Sequence, residues 1–325
     1  MTVLPVVAQA VAGGGVEKLI NTVASGIALG AIYAILALGF VIIFKATQVV
    51  NFAHGAIAAL GAYFVVYFAT VLNVPGRLIG SAPKLLQWSL SALVAVLVAA
   101  VIGMVVERTA IRPMIGEPLF AVAMITLGLD LVVRTITADY LGNQLRALGD
   151  PWGAGVVDIG VLRVSQTQVV MIVVTGVAMA GLAWFFRTRV GVAMRATAFD
   201  QEAAMAQGIN VGKVFATAWA IGAALAAIGG IFASMSPRAA GVTPLTAFVA
   251  FRAFPAVVIG GLDSIPGAIV GGMLVGSTEV FVGSYLSGVS WLGVGFSGIV
   301  PWLLMMLVLL VRPYGIFGTE EVRRV

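Results

Sequence analysis

The fold predicted by this sequence is an all-α, polytopic membrane helix bundle of about eight or nine segments, some interrupted or re-entrant. Three observations carry that expectation. Only 10% of the 325 residues are charged and 61% are hydrophobic, where a soluble domain carries about 25% charged residues. Stretches free of Asp, Glu, Lys, Arg and His cover 19–44, 55–76, 85–106, 164–186, 214–237 and 280–311, with shorter ones at 118–129, 253–262 and 264–278. A spanning helix needs about 20 mostly apolar residues, so most of these are long enough. The period-two alternation of a membrane β-barrel is missing.

In chain order, segments are expected at about 19–44, 53–72, 88–108, 118–138, 166–186, 213–235, 246–261, 266–285 and 292–311, within one transmembrane domain over 1–325. Residues 1–16 lack the basic region of a cleaved signal peptide, since the first basic residue is Lys18, so the first helix is expected to direct insertion. The net charge of +5 is scattered through short connections, which reads as a topology signal and not as a nucleic-acid surface. Lys45, Arg108, Arg112, Arg187, Arg189, Arg195, Lys213, Arg312, Arg323 and Arg324 fall in one set of connections; Lys18, Arg77, Lys84, Arg146, Arg163 and Arg238 fall in the other. The richer set is expected on the cytosolic side, with the N-terminus outside and the C-terminus inside. Cysteine is absent, which excludes disulfides, thiol nucleophiles and thiolate metal sites.

Residues 139–165 form the one sizeable outer loop. In it "GDPWGAG" reads as turns and "VVDIGVLRVS" alternates as a strand or hairpin does. Docking of an outer partner and a plain solvated connector are both open for it. The pairs Gly26/Gly30, Gly267/Gly271 and Gly272/Gly276 have the GxxxG spacing that lets membrane helices approach closely.

Two polar breaks interrupt the apolar pattern. The stretch "VVNFAHGAIAALGAYF" at 49–64 holds the chain's only histidine, and His54-Gly55-Ala56-Ile57 follows Asn51. Pro266-Gly267-Ala268-Ile269 similarly follows Asp263 and Ser264. Interrupted segments in corresponding halves point to a transport route. Asn51 and His54 can satisfy backbone groups freed at the break, or they can line the route; both readings stand. A lone histidine makes no metal site. Asp130 and Arg134 are four apart on a predicted helix and are expected to pair internally near the outer interface. Arg252 and Glu279 are expected near outer helix ends, where long side chains snorkel.

The loop 187–213 is the most charged connection. Asp200 can cap a short helix with Glu202 in its first turn. Ala203, Ala204, Met205 and Ala206 propagate it, Gly208 takes a left-handed end position, and Ile209 folds back as the apolar contact. The predicted helix, Asp200–Gln207, is presented to the cytosol either for docking into another protein's groove or as a plain connector. A phosphate-binding G-x-x-x-x-G-K-[ST] loop is not found. The nearest string, Gly208-Ile-Asn-Val-Gly212-Lys213-Val214, is one residue short and lacks the hydroxyl. No Ser/His/Asp triad or paired carboxylate site is evident, so the chain is expected not to be an enzyme.

Glu202-Ala203-Ala204, three residues and then Gly208 resembles the first half of the EAA loop of ABC importer permeases. "GAIYAILALGFVIIFKATQVVNFAHGAIAALGAYF" (30–64), "AAMAQGINVGKVFATAWAIGAALAAIGGIFA" (203–233) and "FRAFPAVVIGGLDSIPGAIVGG" (251–272) resemble, in order, three blocks of the branched-chain amino acid ABC permeases, in particular the shorter, H-type subunit. Ala56 stands where that family often has Glu, and Pro255 lies inside the last block. The resemblance implies ATPase coupling through Asp200, Glu202, Ala203, Ala204, Gly208 and Ile209. It implies a substrate path touching Asn51, His54, Gly55, Arg252, Gly260, Gly261, Ser264 and Pro266, with Arg252 placed to meet a substrate carboxylate. It also implies a second, longer permease, two cytoplasmic ATPases that use ATP and Mg, a periplasmic or extracellular solute-binding protein, and a bacterial cytoplasmic (inner) membrane. No cofactor is expected on this chain. The alternatives are a permease for urea or short amides, and a stand-alone ion-coupled transporter or channel using Asp130, Arg134 and His54.

Overall fold

The computed structural model of the chain describes residues 15–114, 117–152, 155–289, 292–293 and 295–319; Arg323 and Arg324 lie outside them. Among the described residues seven helices are long and apolar enough to cross a membrane, and two shorter apolar helices accompany them. In order, α1 is Gly15–Thr47 and α2 is His54–Val66, which continues through a π-turn at Tyr67–Val71; α3 is Val74–Leu78 and α4 is Lys84–Val106. Next come α5, Leu119–Leu141, the hairpin β1 Val156–Ile159 with β2 Leu162–Ser165, and α6, Gln166–Phe185. The second half holds α7 Arg189–Phe199, α8 Gln201–Ala206, α9 Val211–Ala233, a 3-10 turn at Pro244–Ala247, α10 Phe248–Gly260, α11 Ile265–Tyr285 and α12 Phe296–Val311. The all-α membrane bundle expected from the sequence is the fold.

α1 is the central post. Its core window is 89% buried, shielded by α6, α9, α10 and α11 and not by lipid. Small residues make this possible. Gly26 and Gly30 of α1 lie against Ser277 and Met273 of α11, and a Cβ added to Gly30 would stand 2.8 Å from the Met273 Cα. From the other side Gly272 meets Ala34 and Gly276 meets Gly30. Two of the GxxxG pairs thus mate with each other, and the third, Gly267/Gly271, faces Gly260 and Ala256 of α10. Backbones that close gain dispersion contacts along their whole length, which is the main attraction available where lipid is as apolar as the side chains.

The hairpin seats on one end of α1. Asn21 accepts from the Arg163 N–H at 2.7 Å and donates to the Val161 carbonyl at 3.3 Å. Lys18 stacks over Tyr285 at the same end. At the opposite end Lys45 donates to the Asp263 carbonyl at 2.9 Å, and Arg112 donates to the Gly212 carbonyl at 2.8 Å. Lys18 and Arg163 of one set thus lie at one end, and Lys45 and Arg112 of the other set at the opposite end.

Between α1 and α2 the chain turns back into the bundle before helix resumes. Gln48 takes a left-handed conformation (φ 57°), and the His54 ring reaches the Leu36 carbonyl, about three turns before the end of α1. Non-helical backbone at this depth is tolerated only when protein covers it. Here α1, α5 and the Pro244–Ala247 turn do so, with Gly55 set against the Ala247 carbonyl. The second break, at Asp263–Ser264, lies instead at the Lys45 end.

Replacement of Gly276 by Leu should lower stability by about 1–3 kcal/mol or more through overpacking at backbone contact. Gly128→Leu, where nothing lies within 4 Å of the added Cβ, should stay within about 0.5 kcal/mol. Thermal unfolding in detergent, followed by size-exclusion fluorescence, compares the two.

Candidate functional site

Residues 187–213 fold as three helices, each opened by a side-chain cap. Thr188 Oγ1 accepts from the Gly191 N–H at 3.3 Å and starts α7. Asp200 Oδ1 accepts from the Ala203 N–H at 2.9 Å and starts α8. Asn210 Oδ1 accepts from the Lys213 N–H at 3.0 Å and starts α9. α8 ends in a Schellman motif: Gly208 is left-handed (φ 81°) and donates to Met205 at 2.9 Å, while the Ile209 N–H donates to Ala204 at 3.0 Å. Ile209 packs on the hydrophobic core. Ala204 is buried, whereas Glu202, Ala203, Met205, Ala206 and Gln207 are exposed. The short helix is thus held on one side and bare on the other. Sequence reasoning missed α7 and the Asn210 cap. The string Thr188-Arg189-Val190-Gly191 carried the α7 signal, a hydroxyl cap three residues before a bonded amide.

Beside this helix pair, a cavity of about 580 Å³ is walled by Lys45, Gln48, Arg195, Phe199, Asp263 and Thr319 among others. Thr319 donates to the Asp263 carboxylate. The segment after α12 folds back so that the Ile316 N–H donates to Ile259 at 2.8 Å and the Phe317 N–H to Gly260 at 3.1 Å. These bonds supply donors to carbonyls at the end of α10, where a helix leaves them unpaired. Gly261 has φ 104°, and the Ser264 Oγ accepts from the Gly267 N–H at 3.1 Å to cap α11. Pro266 sits in the first turn of α11, where a missing N–H costs nothing. Gly260, Gly261, Ser264 and Pro266 therefore belong to one hub at the Lys45 end.

Asn51, His54 and Gly55 form a separate group at membrane depth. Asn51 Oδ1 accepts from the Ala53 N–H at 3.1 Å, and the Asn51 carbonyl accepts from the His54 N–H at 3.2 Å. The Phe52 N–H is taken by Thr126 of α5 at 3.2 Å. His54 Nε2 lies 3.1 Å from the Leu36 carbonyl. A carbonyl only accepts, so this contact fixes the Nε2–H tautomer. The ring packs on Phe40 at 4.1 Å between centroids. His54 is 0% exposed, so in this conformation the trio ties the break together and offers a solute no surface.

Asp130 and Arg134 form the expected ion pair, though Asp130 stands at the middle of α5 and not near its outer end. Its Oδ1 is buried and accepts no hydrogen bond from the described residues. Glu279 and Arg252 do not snorkel separately, because the close α10–α11 packing sets them side by side. Glu279 Oε2 accepts from Tyr33 of α1 at 2.6 Å, and Oε1 lies 3.6 Å from Arg238 and 3.7 Å from Arg252. Tyr33 and Arg238 went unnoticed in the sequence, where a tyrosine in an apolar helix and a loop arginine carry no mark of joining.

A family model described as the permease component of branched-chain amino acid transport systems matches residues 22–309. The chain belongs to this family. The permease is 32% identical over 323 residues to the high-affinity branched-chain amino acid transport system permease protein BraD of Pseudomonas aeruginosa, covering 95% of this chain and 97% of that one. It is 32% identical over 310 residues to the corresponding protein LivH of Escherichia coli K12, covering 93% and 96%. A probable branched-chain amino acid transport permease protein LivH of Methanocaldococcus jannaschii is 29% identical over 88% of each chain.

Asp200→Ala in the permease should free the first turn of α8 at a cost of about 0.5–2 kcal/mol. Amide hydrogen exchange at Ala203 should then accelerate about 2- to 30-fold, and Asp200→Asn should restore most of the protection.

Proposed function

We propose that this permease is the membrane subunit of an ATP-driven importer for branched-chain or closely related amino acids in a bacterial cytoplasmic membrane. A second permease, two cytoplasmic ATPases and an outer solute-binding protein would complete it. The observation that carries the reading is α8, a short helix capped at both ends and bare on the side away from the bundle. Family membership supports the substrate class. The richer set of basic residues supports a cytosolic position for the α8 end.

The fold supplies a mechanism. Four residues, Gln207 to Asn210, separate the end of α8 from the start of α9, and α9 packs on α1, α2 and α4. A pull on the exposed face of α8 therefore reaches the bundle through a stiff, capped joint. Arg112, bonded to the Gly212 carbonyl and paired with Glu107 at 2.9 Å, carries the same motion to α4. Alternate closure and opening of the ATPases would rock these helices and expose the route first to one side and then to the other. ATP and its magnesium stay on the partners, and this chain works as conduit and lever.

The natural absence of cysteine makes the test clean. Met205→Cys carrying a photoreactive maleimide should cross-link to a P-loop ATPase in native membranes. Reconstituted uptake should need both the ATPases and the binding protein, and Glu202→Lys or Gly208→Val should uncouple it. Solute movement down an ion gradient by the purified permease alone in liposomes would instead establish a secondary transporter.

A further inference from the structure

A row of charge crosses one face of the permease at a depth where lipid cannot hydrate it. Gly267 faces Gly260, and Gly271 faces Ala256. Stepping one turn further places Arg252 level with Val275, the middle of α11 (Ile265–Tyr285). The hydrocarbon core extends about 15 Å either way from its midplane. The Arg252 guanidinium reaches one turn further along α11, to Glu279 and the first turn of α12 at Gly298, still within the length of the spanning helices. Arg252 is nonetheless 49% exposed on this chain, whereas its carboxylate partner Glu279 is 7% exposed. The same asymmetry recurs one helix away, where Arg134 is 27% exposed and Asp130 3%. In both pairs the acid sits inside and the cation faces out.

One of the two cations covers an aromatic ring. The Arg134 guanidinium lies 5.0 Å from the centre of the Phe248 ring, and Phe248 is one turn before Arg252 on α10. Phe248 and Leu245 are 46% and 70% exposed. Counter-charge is short: Glu279 is shared by Arg238 and Arg252 and already accepts from Tyr33. Three guanidiniums thus face two carboxylates. A surface of this kind is not stable against acyl chains; it requires water, a solute or another chain.

We propose that the face formed by Arg134, Leu245, Phe248 and Arg252 is a wall of the solute route, where the guanidiniums take the carboxylate of the transported amino acid and Phe248 and Leu245 take its apolar side chain. An Arg fork matches a carboxylate in shape and charge, and the adjoining ring and Leu245 match an aliphatic chain. The inference rests on the importer reading above. It assigns substrate contact to this face and not to the buried Asn51–His54 pair.

The experiment uses the complete transporter with single cysteines at Leu245 and, separately, at Phe248. Water-soluble methanethiosulfonates of opposite charge are compared. The anionic sulfonatoethyl reagent should react at least about 10-fold faster than the cationic trimethylammonium one, because the site concentrates anions. Bound solute should slow the reaction, and Arg252→Gln should abolish the charge preference. In the cysteine-free background Arg252→Gln should keep binding-protein-stimulated ATP hydrolysis but move at least about 10-fold less solute per ATP. Arg252→Lys should fall between, and Arg163→Gln on the exposed hairpin should match the parent. No labelling at either position would mean that lipid or a partner chain seals this face and would overturn the proposal, as would equal rates for the two reagents. Uptake that needs no ATPase would instead overturn the importer reading, whatever the labelling shows.

Discussion

The close approach of α1 and α11 through facing glycines is the constraint on which the rest of the structure depends. Gly30 is wedged against both Met273 and Gly276, and Gly272 against Ala34, so neither helix has room to slide or rotate past the other. That contact fixes the register of Tyr33 against Glu279. The second line of small residues on α11 then fixes α10 through Gly260 and Ala256, and with it the depth of Arg252. In a bilayer no hydrophobic force gathers helices, so alignment at this precision comes from backbone-to-backbone packing.

The same solvent explains how the interruptions are handled. At the 48–53 break the Ala53 N–H is met by the Asn51 side chain and the Phe52 N–H by Thr126, while the His54 ring bonds the Leu36 carbonyl. At the end of α10 the returning C-terminal segment fills the same need with the N–H groups of Ile316 and Phe317. Polar residues inside an apolar protein here serve the backbone first. The charged pairs follow another rule. Asp130 and Glu279 sit inside while Arg134 and Arg252 turn outward, an arrangement that backbone satisfaction does not require.

The parts are connected by their order in the chain. Thr188, Asp200 and Asn210 cap three helices in succession, leaving little free loop between the exposed α8 and α9 in the core. Motion imposed on one reaches the other without being absorbed by a slack linker. The hub of Lys45, Asp263 and Thr319 closes the same end of the bundle, so α7, the end of α1 and the start of α11 share one neighbourhood.

What the sequence by itself determined was local or one-dimensional. Hydropathy marked nearly every membrane segment, since a spanning helix declares itself by length and composition alone. The Asp200 cap, the Gly208 stop and the 156–165 hairpin were legible for the same reason: each depends on residues within a few positions of one another. The GxxxG spacings announced close packing but not its partner. Only the tertiary structure decided that Gly26/Gly30 mates with Gly272/Gly276, that His54 lies buried against Leu36 and Phe40, and that the 48–53 break meets 244–247 at depth. It alone brought Tyr33, Arg238, Arg252 and Glu279 together from separate parts of the chain. Contacts between distant residues depend on helix register and crossing, quantities set by the fit of whole surfaces, and no short window of sequence contains them.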